Sequence, residues 1–453
     1  MNDAEPSLES AGLPPLNRPE DAYAVLRNRD FLLFLIGRLV SSLGQQMIPV
    51  AVGWEIYTRT HSTLNLGYVG LTQMIPMILF TLPSGHLADN QNRKRIVMLM
   101  LLGVAASSIG LTLISALRAP VIWIYLCLFT AGTARTFLWP SSAAMLPQLV
   151  SRKNFPRAVI WNSGSFQLSS VAGPALGGAL IAWTHHAAPI YALNAVFALT
   201  YFVLLAFVRY NRPEAAKEEM TLKSLLAGVH FVFANKIILG IITLDLFAVL
   251  LGGATALLPV YAEDILQSGP GGLGLLLAAL PCGAVLCALI LAHRPPMQKA
   301  GRSMLWAVTF FGFETILFGI GNQEWLGKWM AHVSHFSVAN AFWFWFAFAM
   351  LFACGAADNV SVVVRHTLVQ LLTPDEKRGR VSAVNSLFIG TSNELGGFES
   401  GMVAQWFGPA IGNTNSTGAI FSVVSGGVGT IVVVIAVALI WPQIRKYGRL
   451  DGS

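Results

Sequence analysis

Several ionisable residues lie inside long apolar stretches of this 453-residue sequence, and the main candidates among them are Arg38, Arg135, Asp245, Asp358 and Glu394. A charged side chain in hydrocarbon is costly, so each of them needs an opposite charge or contact with water. In membrane proteins such residues are candidates for carrying protons or for controlling a substrate path. For any one of them, the alternative is a structural ion pair or a hydrogen-bonded acid inside a protein core.

Glu394 is the clearest candidate for a proton carrier. It lies about 14 residues into its apolar stretch, which is near the middle of a membrane at a rise of about 1.5 Å per residue. Arg38 begins a polar stripe with Ser41, Ser42 and Gln45, and their spacing places all four on one face of a helix. Such a face suits a watery cavity better than lipid.

The two halves of the chain are weak copies of each other. The equivalent residues are Arg157 and Arg380, Asn162 and Asn385, and Gly173 and Gly396 at an offset of 223 residues, and Asn28 and Asn235, and Gly67 and Gly274, at an offset of 207. Two parallel repeats with a site between them are the architecture of many secondary transporters.

The same offsets relate the buried charges. Arg38 is equivalent to Asp245, and Arg135 is equivalent to Asp358. We therefore predict that cations of the first half face anions of the second half across the interface between them. These charges would compensate each other when the halves close and would meet water or substrate when they open.

Composition indicates an integral membrane protein, because 55% of the residues are hydrophobic, 11% are charged and the mean hydropathy is +0.61. Twelve stretches are long enough to span a bilayer. They begin near residues 31, 64, 95, 120, 157 and 188 in the first half, and near 236, 272, 303, 338, 380 and 416 in the second half. The expected fold is all-α, with two pseudo-symmetric bundles of six transmembrane helices each.

The basic residues predict the orientation. If the N-terminus is cytosolic, 23 of the 29 Lys and Arg residues lie on the cytosolic side, as the positive-inside rule requires. We therefore interpret the net charge of +7 as topology and not as nucleic-acid binding. The expected location is the cell inner membrane, with both termini in the cytosol.

The predicted segments are a cytosolic tail (1–25), a first bundle (26–210), a linker with an amphipathic helix (211–235), a second bundle (236–441) and a cytosolic tail (442–453). No cofactor or metal is expected, because the four cysteines lie in apolar stretches without a Cys-x-x-Cys pair. His332 and His335 have a spacing that a metal could use, but exposed loop histidines are the simpler interpretation.

A polar segment, residues 85–95, separates the second and third apolar stretches. We expect Gly85 to let the helix ends approach, Asp89 to cap the next helix, and Arg93 and Lys94 to hold the segment in the cytosol. The segment resembles the signature loop of the major facilitator superfamily. That resemblance implies that Asp89 closes the cytosolic side in the outward-facing state, although Asn90 stands where the family usually has Arg.

A second element, Gly173-Pro174-Ala-Leu-Gly177-Gly178, is similar to the Gly-Pro-x-x-Gly-Gly element of antiporters in that superfamily. Plain helix packing explains these residues equally well. Residues 137–150 and 258–274 resemble the branch of transmembrane secretion effectors, the enterobactin-exporter-like transporters.

The resemblance implies proton-driven efflux of a small amphiphilic molecule, such as a siderophore or a drug, by a monomer that uses alternating access. The expected partners are the substrate, protons and the lipid bilayer. No nucleotide-binding Gly-x-x-x-x-Gly-Lys sequence is present, so ATP is not the expected energy source. An uptake symporter and a non-transporting sensor are the alternatives, and a membrane enzyme lacks any visible set of catalytic residues.

Overall fold

The computed structural model describes residues 23–210, 229–295, 297–322, 340–411 and 415–448. Within these ranges the regular elements are all helices, as predicted. The first half contains α1 (Arg29–Thr60), α2 (Thr63–Asn90), α3 (Arg93–Ala116), α4 (Ile122–Leu149), α5 (Phe155–Thr184) and α6 (Ala188–Ala206). The second half contains α7 (Lys236–Leu251), α8 (Gly269–Ala292), α9 (Ala300–Ile320), α10 (Asn340–Leu372), α11 (Asp375–Ile411) and α12 (Asn415–Ile440).

Short helical segments extend α7 to Ile265, and brief helices flank the long ones at Ala24–Arg27 and Pro442–Lys446. Ten helical segments of the described ranges are long and apolar enough to cross a membrane. The other two long helices, α5 and α11, have 30 and 37 residues and are not among these ten segments. Their first residues lie within five positions of the predicted starts, so the all-helical membrane fold is confirmed.

Apolar side chains cover the outside of the molecule. Leu99, Leu117 and Trp183 are more than 60% exposed, as are Trp306 and Ile440. Exposed apolar surface of this extent is unfavourable in water and favourable in hydrocarbon. The chain is a multi-pass membrane protein.

The two bundles consist of α1–α6 and α7–α12. In the first bundle α1 packs on α5 and α6, and α3 packs on α4 and α6; in the second bundle α9 packs on α10 and α12, and α8 packs on α10. The bundles meet where α2 packs on α11 and where α5 packs on α8. We call the end at which α1 and α7 begin the terminal end, and the end at which α1 finishes and α2 begins the distal end.

Equivalent residues begin the two bundles. The side chain of Asn28 accepts hydrogen bonds from the backbone N–H groups of Asp30 and Phe31, and Asn235 does the same for Ile237 and Ile238. Asparagine is among the best residues for this N-cap position, because its side-chain oxygen satisfies backbone donors that the helix cannot. The offset of 207 therefore marks the same structural position in both repeats.

The same close packing of two helices also occurs at equivalent positions in the two bundles. A Cβ atom at Gly173 of α5 would lie 3.1 Å from the carbonyl oxygen of Leu43 in α1. A Cβ atom at Gly396 of α11 would lie 2.9 Å from the carbonyl oxygen of Leu250 in α7. Both residues of each contact follow the sequence offsets, 223 for the glycines and 207 for their partners. The repeats therefore share their helix packing and not only a few residue types.

The contacts between bundles obey the same symmetry. At the distal end, a Cβ atom on Gly178 of α5 would lie 2.7 Å from Cα of Gly274 in α8. A Cβ atom on Gly401 of α11 would lie 2.9 Å from Cα of Gly67 in α2. Because each glycine is equivalent to another of the four, the two contacts are copies related by the pseudo-two-fold axis. Glycine lets the helix backbones touch at these points.

The predicted amphipathic linker helix lies mostly in residues 211–228, and His332 and His335 lie in residues 323–339. Both segments are outside the described ranges.

Candidate transport cavity

A cavity of about 270 Å³ lies inside the first bundle. Arg38, Ser41, Ser42 and Gln45 of α1 all line it, as the polar stripe in the sequence predicts. α4 contributes Arg135, and the remaining lining residues are Gln46, Pro49, Leu138, Trp139, Ser142, Phe166 and Tyr201. We call this space the arginine cavity.

A second cavity of about 330 Å³ adjoins the first and lies between the bundles. Both cavities share Gln45, Pro49 and Arg135 as lining residues. α11 of the second bundle contributes Asn393 and Glu394, so Glu394 reaches the interface at the middle of its helix. We call this space the interface cavity.

Arg135 is the charge that connects the two cavities. Its guanidinium donates a hydrogen bond to the side-chain oxygen of Gln73 in α2. It also interacts electrostatically with Glu394 across the interface. Arg135 therefore faces an acid of the other bundle, as predicted. The acid is Glu394, whereas the predicted one was Asp358.

Arg38 has a different environment. Its guanidinium carbon lies 5.6 Å from the centre of the Trp139 ring, in a cation–π arrangement. Its Nη1 atom is buried and has no hydrogen-bond partner among the described residues. The predicted partner, Asp245, is not beside it.

Asp245 instead forms an ion pair with Arg365 of α10, within the second bundle. Asp245 is 9% exposed and Arg365 is 3% exposed. Asp245 and Asp358 line a small space of about 20 Å³ together with Ser361. The predicted pairings of Arg38 with Asp245 and of Arg135 with Asp358 are therefore wrong for this conformation, because α7 and α10 turn their acids toward each other inside their own bundle.

Arg365 is a functional candidate that the sequence analysis missed. It is an arginine within an apolar stretch, and it follows Asp358 by seven residues, which is two helical turns and therefore the same face. That spacing is the sequence feature that could have identified Arg365 as a partner for the acids of the second bundle. A pairing within one bundle could not be chosen over a pairing between bundles without the helix packing.

Hydrogen bonds between the bundles close the space between them at the distal end. Tyr57 of α1 donates a hydrogen bond to the carboxylate of Asp264, which lies in the helical extension of α7. Gln405 of α11 accepts hydrogen bonds from the hydroxyls of Ser62 and Thr63 at 3.3 Å. These contacts lie between the cavities and the distal surface, so they form a barrier there.

The sequence of residues 20–433 matches the model of a known family, the transmembrane secretion effectors. The chain belongs to this family of the major facilitator superfamily. The enterobactin exporters of Shigella boydii serotype 18 and Escherichia coli strain SE11 are each 27% identical to it over 421 residues, 92% of this chain and 93% of the relative. A secretion effector of this kind is a membrane transporter and not an enzyme.

Solved transporter structures have the same fold. The nucleoside transporter NupG has a TM-score of 0.69 at 13% identity, covering 92% of this chain and 99% of its own. A bacterial homologue of the iron transporter ferroportin, in an inward-facing state, has a TM-score of 0.64 at 17% identity, covering 90% of this chain and 98% of its own. At these identities the similarity concerns the fold alone.

The signature loop of this secretion effector is shorter than predicted. α2 continues to Asn90, so Gly85 and Asp89 belong to its last turns and only residues 91 and 92 form the turn. Asn92, not Asp89, caps α3, because its side chain accepts a hydrogen bond from the backbone of Arg95. The prediction that Asp89 caps the next helix is therefore wrong, and the side chain of Asp89 lies outside the described residues.

Arg93 and Lys94 bind the carbonyl ends of neighbouring helices. Arg93 donates to the carbonyls of Ala88 in α2, at 2.9 Å, and of Ala144 in α4, at 3.1 Å. Lys94 donates to the carbonyls of Ala206 and Val208 at the end of α6, at 2.9 and 2.8 Å. Free carbonyls and the negative end of the helix dipole make these helix ends favourable positions for cations. The loop therefore ties three helix ends of one bundle together.

The Gly-Pro element of α5 lies at two helix contacts. Gly173 and Gly177 face α1, and Gly178 faces α8 of the other bundle. Pro174 is buried in the same helix. The element thus combines packing within a bundle with packing between bundles, a combination that spacing alone did not reveal.

Proposed function

We propose that this chain is a proton-coupled exporter of a small amphiphilic molecule, and that it works as a monomer by alternating access. The observation that carries the proposal is that the arginine cavity of the first bundle adjoins the interface cavity between the bundles. Arg38, Arg135 and Glu394 line this joined space, and contacts between the bundles close it at the distal end. A rocking transporter needs a path that is blocked at one end and that contains charged groups without a counter-charge.

We place the protein in the cell inner membrane with the terminal end in the cytosol. The distribution of Lys and Arg supports this orientation. The distal barrier would then face away from the cytosol, and this conformation would correspond to an inward-facing state that can load a cytosolic substrate.

The candidate proton carriers are Glu394 at the interface and the acids Asp245 and Asp358 in the second bundle. Each is a carboxyl group surrounded by apolar helices, and such groups are typical of proton relays in transporters. The named function of the enterobactin exporters supports export of a siderophore or a drug-like molecule over import. An uptake symporter is the alternative.

Inside-out membrane vesicles with an acidic lumen test the proposal. Siderophores and drug-like compounds are added outside, and an acridine dye reports the pH gradient. We expect at least one compound to release lumenal protons in vesicles that contain the protein and not in empty vesicles. Asp358→Asn should abolish this release, whereas Glu314→Gln should keep it, since Glu314 lines neither cavity.

An uptake symporter would give a different result. Compounds added outside would leave the gradient unchanged, and compounds loaded into the lumen would leave together with protons. Proton release that survives in all the carboxyl variants would contradict proton coupling through these residues.

A further inference from the structure

We propose that the exported molecule is an acid that carries its negative charge next to an aromatic ring, and that it binds in the arginine cavity between Arg38 and Arg135. The inference rests on the proposed function, because it takes this cavity to be part of the transport path. It goes further by naming the charge and the chemical class of the substrate.

The charge balance of the cavity favours an anion. Two guanidinium groups line the arginine cavity, and none of its described lining residues is an acid. Among the described residues that line the adjoining interface cavity, Glu394 is the one acid, so a positive charge is left over even when Glu394 is ionised. A charge without a counter-charge is costly in such a position, and a bound anion would remove that cost.

The geometry of Arg38 points to the same ligand. Its Nη1 atom has no hydrogen-bond partner among the described residues, and its guanidinium plane is supported by Trp139. A guanidinium is suited to carboxylates and other planar oxyanions, because its N–H groups form a fork that matches two oxygens. Side-chain oxygens and amides of Ser41, Ser42 and Gln45 lie beside it to satisfy further polar atoms of the ligand.

Three aromatic side chains also line the cavity. Trp139 and Phe166 pack edge to face with ring centres 5.7 Å apart, and Tyr201 completes this side. Trp139 lines the cavity and is 59% exposed, so protein does not cover its whole ring. Aromatic rings bind other rings in offset or edge-to-face arrangements. The volume of about 270 Å³ is near the lower end of small-molecule pockets, roughly 300 Å³.

Glu394 adds a condition on binding. An ionised Glu394 attracts Arg135 and repels an acid bound beside it, whereas a protonated Glu394 leaves Arg135 to the ligand. Protons and an acidic ligand therefore favour each other at this position. A transporter that exchanges the acid for protons needs a different carboxyl group for the exchanged proton, and Asp358 and Asp245 in the second bundle are separate from the arginine cavity.

Calorimetry of the purified full-length protein with three matched probes tests the inference. The probes are 1-naphthoate, the neutral 1-naphthamide and the cationic 1-naphthylmethylammonium. We expect naphthoate to bind about tenfold more tightly than naphthamide, which is the value of one charge-assisted hydrogen bond, and the cation to bind most weakly.

Arginine variants test whether naphthoate binds in the arginine cavity. Arg38→Gln should lose about tenfold in naphthoate affinity and leave naphthamide unchanged, whereas Arg38→Lys should keep the preference for the acid. The matched control is Arg118→Gln, because Arg118 is exposed at the distal turn before α4. Glu394→Gln should tighten naphthoate binding.

Three results would overturn the inference: no binding of naphthoate, equal binding of naphthoate and naphthamide, or unchanged naphthoate affinity in Arg38→Gln. Each differs from a failure of the proposed function. If vesicles export neutral or cationic compounds while no acid is preferred, the substrate class is wrong and the exporter stands. If the acid binds selectively but no compound moves protons or crosses the membrane, the binding site stands and the exporter is wrong.

Discussion

The hydroxyl of Tyr57 donates a hydrogen bond to the carboxylate of Asp264, and these two residues occupy equivalent positions in the two repeats, 207 residues apart. They meet near the pseudo-two-fold axis at the distal end. A contact between equivalent positions can form only where the bundles approach each other at that axis. It therefore reports directly whether the distal end is closed.

We predict that Tyr57→Phe favours opening of the distal end. A hydrogen bond to a charged group contributes about 1.5–3 kcal/mol, so its loss should raise the open population by about tenfold or more. The measurement is the rate at which a membrane-impermeant maleimide, added on the distal side, labels a cysteine at Thr255, which lines the interface cavity. The four native cysteines are replaced first.

Tyr68→Phe is the matched control for Tyr57→Phe. It removes a hydroxyl from the same end of the bundle, where Tyr68 stacks on Phe398 through its ring at 6.0 Å. The labelling rate should therefore stay unchanged. Equal rates in both variants would show that the bond from Tyr57 to Asp264 does not hold the distal end closed.

We predict that Gly178→Ala and Gly401→Ala each slow transport by preventing full distal closure. The new methyl groups would lie 2.7 and 2.9 Å from Cα atoms of the opposite bundle, which is too close for carbon atoms to remain in place. Gly164→Ala is the control in α5, because a Cβ atom there has nothing within 4 Å. Transport in vesicles and the maleimide rate at Thr255 should change together, and normal transport in both variants would contradict this role.

We predict that removing Asp245 destabilises the protein unless Arg365 is removed with it. Asp245→Asn leaves a buried arginine without its counter-charge, which costs about 3–5 kcal/mol in other proteins. The double variant Asp245→Asn with Arg365→Gln should recover part of the loss in a thermal unfolding assay. Recovery by the exchange Arg38→Asp with Asp245→Arg would instead support the pairing between bundles that the sequence suggested.

We predict that Lys94→Met lowers thermal stability, because it removes two hydrogen bonds from carbonyls at the end of α6. Leaving carbonyls unsatisfied costs about 1–3 kcal/mol each where water cannot replace the donor. Arg95→Gln is the control, since the adjacent Arg95 is exposed and contributes its backbone N–H to the cap of α3. Equal melting temperatures in the two variants would show that the helix ends do not depend on Lys94.

The sequence predicts the repeats well because helix packing follows the chain position. The offsets of 207 and 223 relate Gly67 to Gly274 and Gly178 to Gly401, and these four glycines make the two distal contacts. The same offset of 207 also relates Tyr57 to Asp264, a pair that the sequence analysis did not compare. An apolar stretch and its repeat thus carry enough information for the fold and for the contacts at the symmetry axis.

The partners of the buried charges could not be predicted in the same way. Asp245 can point toward the axis or toward α10 after a small rotation of its helix, and an amphipathic pattern does not distinguish these directions in a helix that is apolar all round. Helix packing within the second bundle decides the question in favour of Arg365. Glu394 lies opposite Arg135 because α11 packs on α2, which in turn packs on α4.

We finally predict that Glu394 and Asp358 have separable roles. If acids bind at Arg135, the affinity for naphthoate should fall as the pH rises and Glu394 loses its proton, since an ionised Glu394 competes for the same guanidinium. In Glu394→Gln this pH dependence should disappear while exchange of substrate for protons continues. Asp358→Asn should show the reverse, with unchanged pH-dependent binding and no proton exchange. Calorimetry across a pH series and the vesicle assay measure the two properties independently, and loss of both in one variant would show that a single carboxyl group serves binding and coupling.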